Sequence, residues 1–362
     1  MQRLRSWLII FGKYSFLRVG ALAALLALPP QIARADEGGV SFWIPGFFGS
    51  LAATPAQPGW SGTTIYYHDS VSAGGDVARA REFEIRNIPV NFTGNVSATV
   101  NASVNLDLFA ATYTFATPVL GAQASVSVLS GYGANSTSLA GTLAGTLTGP
   151  LGGTVPFSRS DGITSTIVAF GDVLPMFQLK WNAGVNNFMT YITGDMPDGA
   201  YDSARLANIG IGHWAVDVGG GYTYFDPTTG HEASAVLGFT YNFINPSTQY
   251  QNGVDMHLDW GVSQFLTKQV QVGLVRYLYQ EIGCDSGSGD RVGCFQSRTV
   301  GIGPQFGYIF PIGDKLQGYL NIKAYGEFDA ANRPSGWNLW LTFNLSPAAA
   351  TPPTSSRPMF TK

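Results

Sequence analysis

Eight ionisable side chains, Lys180, Asp217, Glu232, Asp255, His257, Asp259, Lys323 and Glu327, occur within otherwise apolar, alternating stretches. Residues two apart in an extended chain share a face. Asp255, His257 and Asp259 therefore form a row of two carboxylates and an imidazole. Such a row either lines a polar permeation path or forms a satisfied network in a filled interior. A histidine placed there titrates near neutral pH when unperturbed. His68 and Ser70 also share a face, the minimum for a base and a nucleophile. An outer-membrane lipid hydrolase built on them needs the pair on the lipid-facing surface and a third group that orients the histidine. The sequence identifies no such group, so hydrolysis is the remote reading and the chain is not expected to be an enzyme. No phosphate loop or zinc motif occurs, and no cofactor or metal is expected. Cys284 and Cys294 flank DSGSGDRVG, a spacing and composition that favour a local disulfide in an oxidising compartment. Asp285 and Asp290 lack the terminal Glu of a calcium loop.

The elements that must carry these residues are long strands. In GVDMHLDWGVSQFLTKQVQVGLVRYLYQ, Met256, Leu258, Trp260 and Val262 alternate with Asp255, His257, Asp259, Gly261 and Ser263. One face is apolar and the other charged. Leu266–Lys268 leaves room only for a tight reversal, so the segment is a hairpin. Its arms approach the ~9–11 residues with which a tilted strand crosses a membrane, longer than the roughly 5–6 common in soluble proteins. The same alternation runs through NVSATVNASVNLDL and LQGYLNIKAYGEF. If the apolar sets face lipid, the eight charged residues point inward. Val272 and Leu274 on the second arm would carry Arg276 outward in the same phase; a bulge at Gly273 is expected to turn it inward.

Twelve strands are expected: 61–72, 96–114, 119–132, 161–170, 176–191, 212–225, 231–243, 252–265, 269–281, 297–310, 315–328 and 336–345. Short links at 115–118, 171–175, 226–230, 266–268 and 311–314 interleave with long ones at 73–95, 133–160, 192–211, 244–251, 282–296 and 329–335. Short periplasmic turns and long extracellular loops describe an all-β transmembrane antiparallel barrel. A fourteen-strand alternative takes additional strands from Arg81–Phe92 and Leu139–Leu147.

Composition agrees. Only 12% of the 362 residues are charged, against roughly 25% in soluble domains, and 45 are Gly. Residues 1–35 read as a signal peptide: basic residues through Arg18, an apolar core at Val19–Leu28, and Ala33-Arg34-Ala35 before Asp36. An uncleaved anchor is the alternative. Removing the five basic residues of that segment leaves 15 basic against 23 acidic side chains, a net charge of −8. So acidic a chain is a poor nucleic-acid partner. Residues 36–60 form an apolar leader broken by Pro45, Pro55 and Pro58, which fits neither a central strand nor a long helix. It is expected either to plug the lumen, with Phe42, Trp43, Phe47 and Phe48 as its anchors, or to rest at the periplasmic rim. The barrel is assigned to 61–345, and a Pro/Ala/Thr tail, 346–362, reads as disordered.

The runs LANIGIGHWAVDVGGGYTYFDPTTGHEASAVLGFTYNFINPSTQY, QNGVDMHLDWGVSQFL, GIGPQFGYIFP and KAYGEFDAANRPSGWNLWLTF resemble the SphA-type outer-membrane proteins grouped under a MetA pathway of phenol degradation. That family is distantly similar to barrel transporters for fatty acids and aromatic hydrocarbons. The resemblance implies a barrel in a Gram-negative outer membrane, in contact with outer-membrane lipids and the barrel-assembly machinery. It also implies passive uptake of small hydrophobic, phenol-like solutes; a non-transporting surface barrel is the alternative. One departure is that the last strand ends Phe343-Asn344-Leu345 and the tail follows, where barrels usually close on a terminal aromatic.

Overall fold

The computed structural model describes residues 42–74, 94–148, 154–290, 293–294 and 296–348. Residues 1–35, Arg81–Phe92 and nearly all of the tail lie outside them. Among the described residues there are thirteen strands and no helix. They are β1 (Gly59–Gly74), β2 (Gly94–Thr114), β3 (Gln123–Thr148), β4 (Thr154–Phe170), β5 (Leu174–Ala183), β6 (Asn186–Asp195), β7 (Ala215–Phe225), β8 (His231–Asn242), β9 (Asp255–Phe265), β10 (Val270–Glu281), β11 (Arg298–Ile312), β12 (Leu316–Ala331) and β13 (Ser335–Pro347).

Each strand pairs antiparallel with its sequence neighbour from β5 round to β13. β13 pairs with β1, β1 with β2, β2 with β3, and β3 with β5. Twelve strands thus close the ring, and closure removes every strand edge that lipid could not satisfy. β4 is the extra strand. It takes the upper part of the same edge of β3, Tyr132 to Thr148, whose lower part, Gln123 to Leu129, pairs with β5. Gly171–Val173 is therefore a joint between two collinear strands and not the expected turn. The reversal occurs instead at Gly184, which has φ +71°, inside the run expected to be a single strand. The total of twelve holds, with a different set of strands.

The stretch 133–160, expected to be a loop from the alternation of short and long links, contributes instead to β3 (to Thr148) and β4 (from Thr154). β2 holds it: the ladder runs unbroken from Thr114↔Ser125 to Gly94↔Gly145, and a continuous partner overrides intrinsic preference. Leu139–Leu147 belongs to β3, so it supplies no extra strand. The connections 115–122, 184–185, 226–230, 266–269 and 313–315 lie at one end of the barrel. Those at 196–214, 243–254 and 332–334 lie at the other, long-loop end, as do the described ends of β1, β2, β3, β4, β10 and β11 that face it.

On β7–β12 the apolar set faces outward. On β2 the phase is the reverse of that expected: Val100, Val104 and Leu106 face the interior, while Asn101, Asn105 and Asp107 face out. The reason is length. β2 has 21 residues and β3 has 26, about twice what a crossing needs. Their upper parts project beyond the lipid, where an outward polar face is wetted and the inward face packs on Leu206 of the loop 196–214.

Arg276 is also corrected. β10 pairs without a break with β9 and β11, and no bulge occurs at Gly273. Val275 and Tyr277 are fully buried inside, so Arg276 faces out. A bulge would disturb two ladders and expel Val275, Tyr277 and Tyr279. An outward Arg costs about 2–4 kcal/mol at the bilayer midplane and less near an interface. Its long side chain extends toward the long-loop end, to the Phe328 ring 5.7 Å away.

Candidate functional site

The segment from Phe42 to Pro58 runs inside the barrel toward the start of β1, and the inward side chains bind its backbone in sequence. Trp43 stacks on the His257 ring, with centroids 3.7 Å apart and planes at 12°. Gly46 and Phe48 donate their N–H groups to the two oxygens of Asp259, at 3.0 and 3.1 Å. Lys323 Nζ donates to the carbonyls of Gly46, Phe47 and Phe48, at 2.5, 3.3 and 3.3 Å. Gln305 donates to Ser50 Oγ at 2.5 Å. Leu51 N donates to Glu232 Oε1 at 2.9 Å and to Ser234 Oγ at 3.0 Å. Ala53 N donates to Thr223 Oγ1 at 3.0 Å, and Lys180 Nζ reaches the Thr54 carbonyl at 3.4 Å. Gln123 brackets Ala56, accepting from its N–H at 2.8 Å and donating to its carbonyl at 2.6 Å.

Strand geometry explains this ladder. A proline-broken segment cannot pair its own backbone groups, and an unpaired buried amide costs about 1–3 kcal/mol. Inward side chains from β3, β5, β7, β8, β9, β11 and β12 supply the missing partners. Two backbone details are required. Gly46 has φ +88°, and a Cβ there would lie 3.0 Å from the Tyr325 ring. Leu51 also adopts a left-handed φ of 65°, held by Glu232 and Ser234.

All eight of the singled-out charged residues point into the barrel. Lys180, Glu232, Asp259 and Lys323 touch the inner segment directly. Asp217 and His257 form a buried pair, Oδ2 to Nε2 at 3.0 Å. Tyr191 donates to Asp217 Oδ1 at 2.7 Å and Thr240 to Oδ2 at 2.6 Å. Gly238 makes this cluster possible, since any Cβ there would overlap Tyr191 Oη and His257 Nε2. Asp255 accepts from Tyr279 at 2.7 Å and Asn242 at 2.8 Å. Glu327 accepts from Tyr277 at 2.7 Å and the Gly336 N–H at 2.8 Å. Cys284 and Cys294 are disulfide-bonded. The neutral groups Gln123, Tyr191, Thr223, Ser234 and Gln305 escaped notice because uncharged polar side chains occur on either face of a strand.

From Gly46 to Thr54 the backbone of the inner segment is hydrogen-bonded by side chains of β5, β7, β8, β9 and β12. Against β1–β3 it leaves a cavity of about 480 Å3. Phe42, Trp43, Phe47 and Phe48 form one wall, and Ile65, Val100, Val104, Leu106, Leu108 and Leu129 the other. The loop 196–214 roofs it with Leu206, Ile209 and Ile211. Asp172, in the joint between β4 and β5, fixes that roof by accepting from Gly199 N at 2.7 Å and Ile211 N at 2.8 Å. Burial pushes its carboxyl above the usual range, and those two backbone donors oppose the shift. Asp69 and Arg333 line the outer end.

His68 and Ser70 do face outward, and Asn105 on β2 bonds His68 Nδ1 at 2.8 Å while also accepting from Tyr66 at 2.8 Å. The histidine ring lies 4.8 Å from Trp337. Ser70 makes no hydrogen bond to it, so an orienting group is present but the contact between nucleophile and base is not.

A closed twelve-strand barrel with an apolar outer band and an inner segment, residues 42–58, bound in its lumen is the architecture of an outer-membrane β-barrel. The chain belongs to the family described as "Putative MetA-pathway of phenol degradation", whose model matches residues 87–343. Among solved structures it is similar to an outer membrane channel from Pseudomonas putida F1, at 13% identity and TM-score 0.58, over 81% of this chain and 97% of that one. A FadL homologue from Pseudomonas aeruginosa aligns at 10% identity and TM-score 0.35, over 88% and 98% of the two chains. The toluene transporter TbuX of Ralstonia pickettii aligns at 10% identity and TM-score 0.32, over 81% and 90%. No curated protein sequence matches. Family and fold place the chain in the outer membrane.

Proposed function

We propose that this protein is a passive outer-membrane channel for small hydrophobic, aromatic solutes, with residues 42–58 acting as a plug. The supporting observation is the two-sided interior. The polar wall of β5–β12 binds the backbone of the segment, which leaves its aromatic side chains and the apolar wall of β1–β3 to enclose one cavity. An apolar cavity with a few polar groups at its rim suits a small apolar ligand and not a hydrated ion. Eight-strand barrels are already filled by side chains, and porins of about 16–18 strands keep an aqueous path. Twelve strands with an added inner segment fall on the closed side of that range. Catalysis is no part of this reading, because Ser70 lacks its base.

The test is single-channel conductance in planar bilayers with and without phenolic solutes, on the intact protein and on one lacking Phe42–Ser50. The expected outcome is low conductance from the intact protein, a rise on deletion, and loss of selective aromatic uptake in cells. Large, unselective conductance from the intact protein would sink the proposal in favour of a general porin, and normal uptake of scarce aromatic solutes by cells lacking the protein would favour a non-transporting surface barrel.

A further inference from the structure

We infer that the outer wall at β10–β12 binds the phosphate of an outer-leaflet lipid, with Arg276 as its anchor. Arg276 lies on the outward face between Trp260 on β9 and Ile302 on β11. Ile302 and Leu274 beside it are 40% and 50% exposed to the lipid side. No carboxylate pairs with Arg276 among the described residues, and its one recorded contact is the face of Phe328. Phe328 is opposite Val300, and Val300 is opposite Leu278. The guanidinium is therefore carried one step above its own Cα, toward the long-loop end, which is the extracellular one. This is a cation drawn from the apolar band to the headgroup level.

A second guanidinium waits at that level. Arg298 stands opposite Gln280 on the same outward face, four residues above Arg276 along β10. That separation is about 13 Å between Cα atoms, most of which the two long side chains span. Arg298 pairs with Asp329 through Nη2 at 2.8 Å, and its Nε is buried without a partner. Between the two lies an apolar floor, Val300, only 4% exposed although it faces out.

The identity of the anion follows from where the cations are. Arg276 rises from among side chains that contact acyl chains to the edge of the hydrocarbon. A lipid phosphate is held at that edge by its own acyl chains, at a local concentration that a free phosphate in solution does not reach. Guanidinium pairs with phosphate through parallel, charge-assisted bonds. The upward displacement selects the outer leaflet, and hence a phosphorylated glycolipid of the lipid A type.

The test is native mass spectrometry of the intact barrel released from detergent micelles. Bisphosphorylated lipid A, its dephosphorylated form and phosphatidylglycerol are added in turn, and heat-modifiable gel mobility checks folding. Wild type is expected to retain lipid A at least about tenfold better than the dephosphorylated lipid. R276Q and R276L should abolish that preference while remaining folded, and R298Q should weaken it about threefold. Because R276L removes a charge from the lipid face, it is the variant expected to fold at least as well as wild type. An unchanged preference in folded R276L overturns the inference, as does no preference in wild type. Equal retention of phosphatidylglycerol overturns the outer-leaflet assignment, and displacement by millimolar inorganic phosphate overturns the lipid assignment.

Discussion

Trp43 lies flat on His257, ring centroids 3.7 Å apart, and His257 in turn bonds Asp217 at 3.0 Å. The inner segment is thus stacked on a side chain that the barrel itself holds in place. Replacing Trp43 with Ala should remove about 0.5–1.5 kcal/mol of ring contact beyond the buried area. The expected readout is more frequent transient openings in single-channel traces, with no change in the heat-modifiable folded fraction. Traces identical to wild type would mean that the stack does not hold the segment.

The clamp of Asp259 and Lys323 around residues 46–48 is the strongest local attachment. Lys323→Met should leave three carbonyls without that donor, and Asp259→Asn should face two N–H groups with one remaining acceptor. Each is expected to weaken docking by about 1.5–3 kcal/mol, the range for hydrogen bonds to charged groups. The double variant should cost less than the sum, because the two residues hold the same three-residue turn. Protease nicking between Ile44 and Leu51 in folded protein gives the measurement; strict additivity would mean that the two act on separate parts of the segment.

Asp172 ties the roof loop 196–214 to the joint between β4 and β5. Asp172→Ala is expected to raise cleavage within 196–214 of the folded barrel severalfold and to accelerate exchange of aromatic solutes. The sign of the pH effect follows from the raised carboxyl. A carboxyl titrating higher in the folded state than in the unfolded one makes its stability contribution at low pH and loses it as pH rises through the folded value. Global stability should therefore fall slightly across that interval in wild type and not in Asp172→Asn. A matching fall in Asp172→Asn would assign the effect to another group.

Topology gives a prediction independent of function. Cysteines at Ser247 and Ala331 should react with a membrane-impermeant thiol reagent on intact cells, whereas cysteines at Thr228 and Gly313 should not. The first two sit at the long-loop end and the other two in short turns. External labelling at Thr228 would reverse the barrel.

Ser70 carries no hydrogen bond from His68, whose Nδ1 is engaged by Asn105. A fluorophosphonate probe is expected to leave Ser70 unmodified in bilayers containing phospholipid. Stoichiometric labelling that disappears in His68→Ala would establish a reactive serine.

The sequence by itself determined what has a period of two. Where one face meets lipid and the other a filled interior, as on β9 and β12, alternation is strict and the inward charges can be read directly: Asp255, His257, Asp259, Lys323, Glu327. Cys284 and Cys294 were legible because the nine residues between them, rich in Gly, Ser and Asp, let the ends come together. The tertiary structure alone decided three other matters. It set where β5 turns, because Gly184 outweighed Pro175 only once β3 offered its lower edge to β5. It set the direction of the apolar face of β2, because alternation names two faces without saying which is inside, and above the membrane the outer face meets water. It also set the fate of Arg276: a local bulge and an outward arginine are equally compatible with the string of residues, and the two intact ladders with β9 and β11 chose between them. The same holds for the inner segment. Its prolines said that it could not pair with itself, and only the closed barrel put Asp259, Lys323, Glu232 and Thr223 within reach of its unpaired amides and carbonyls.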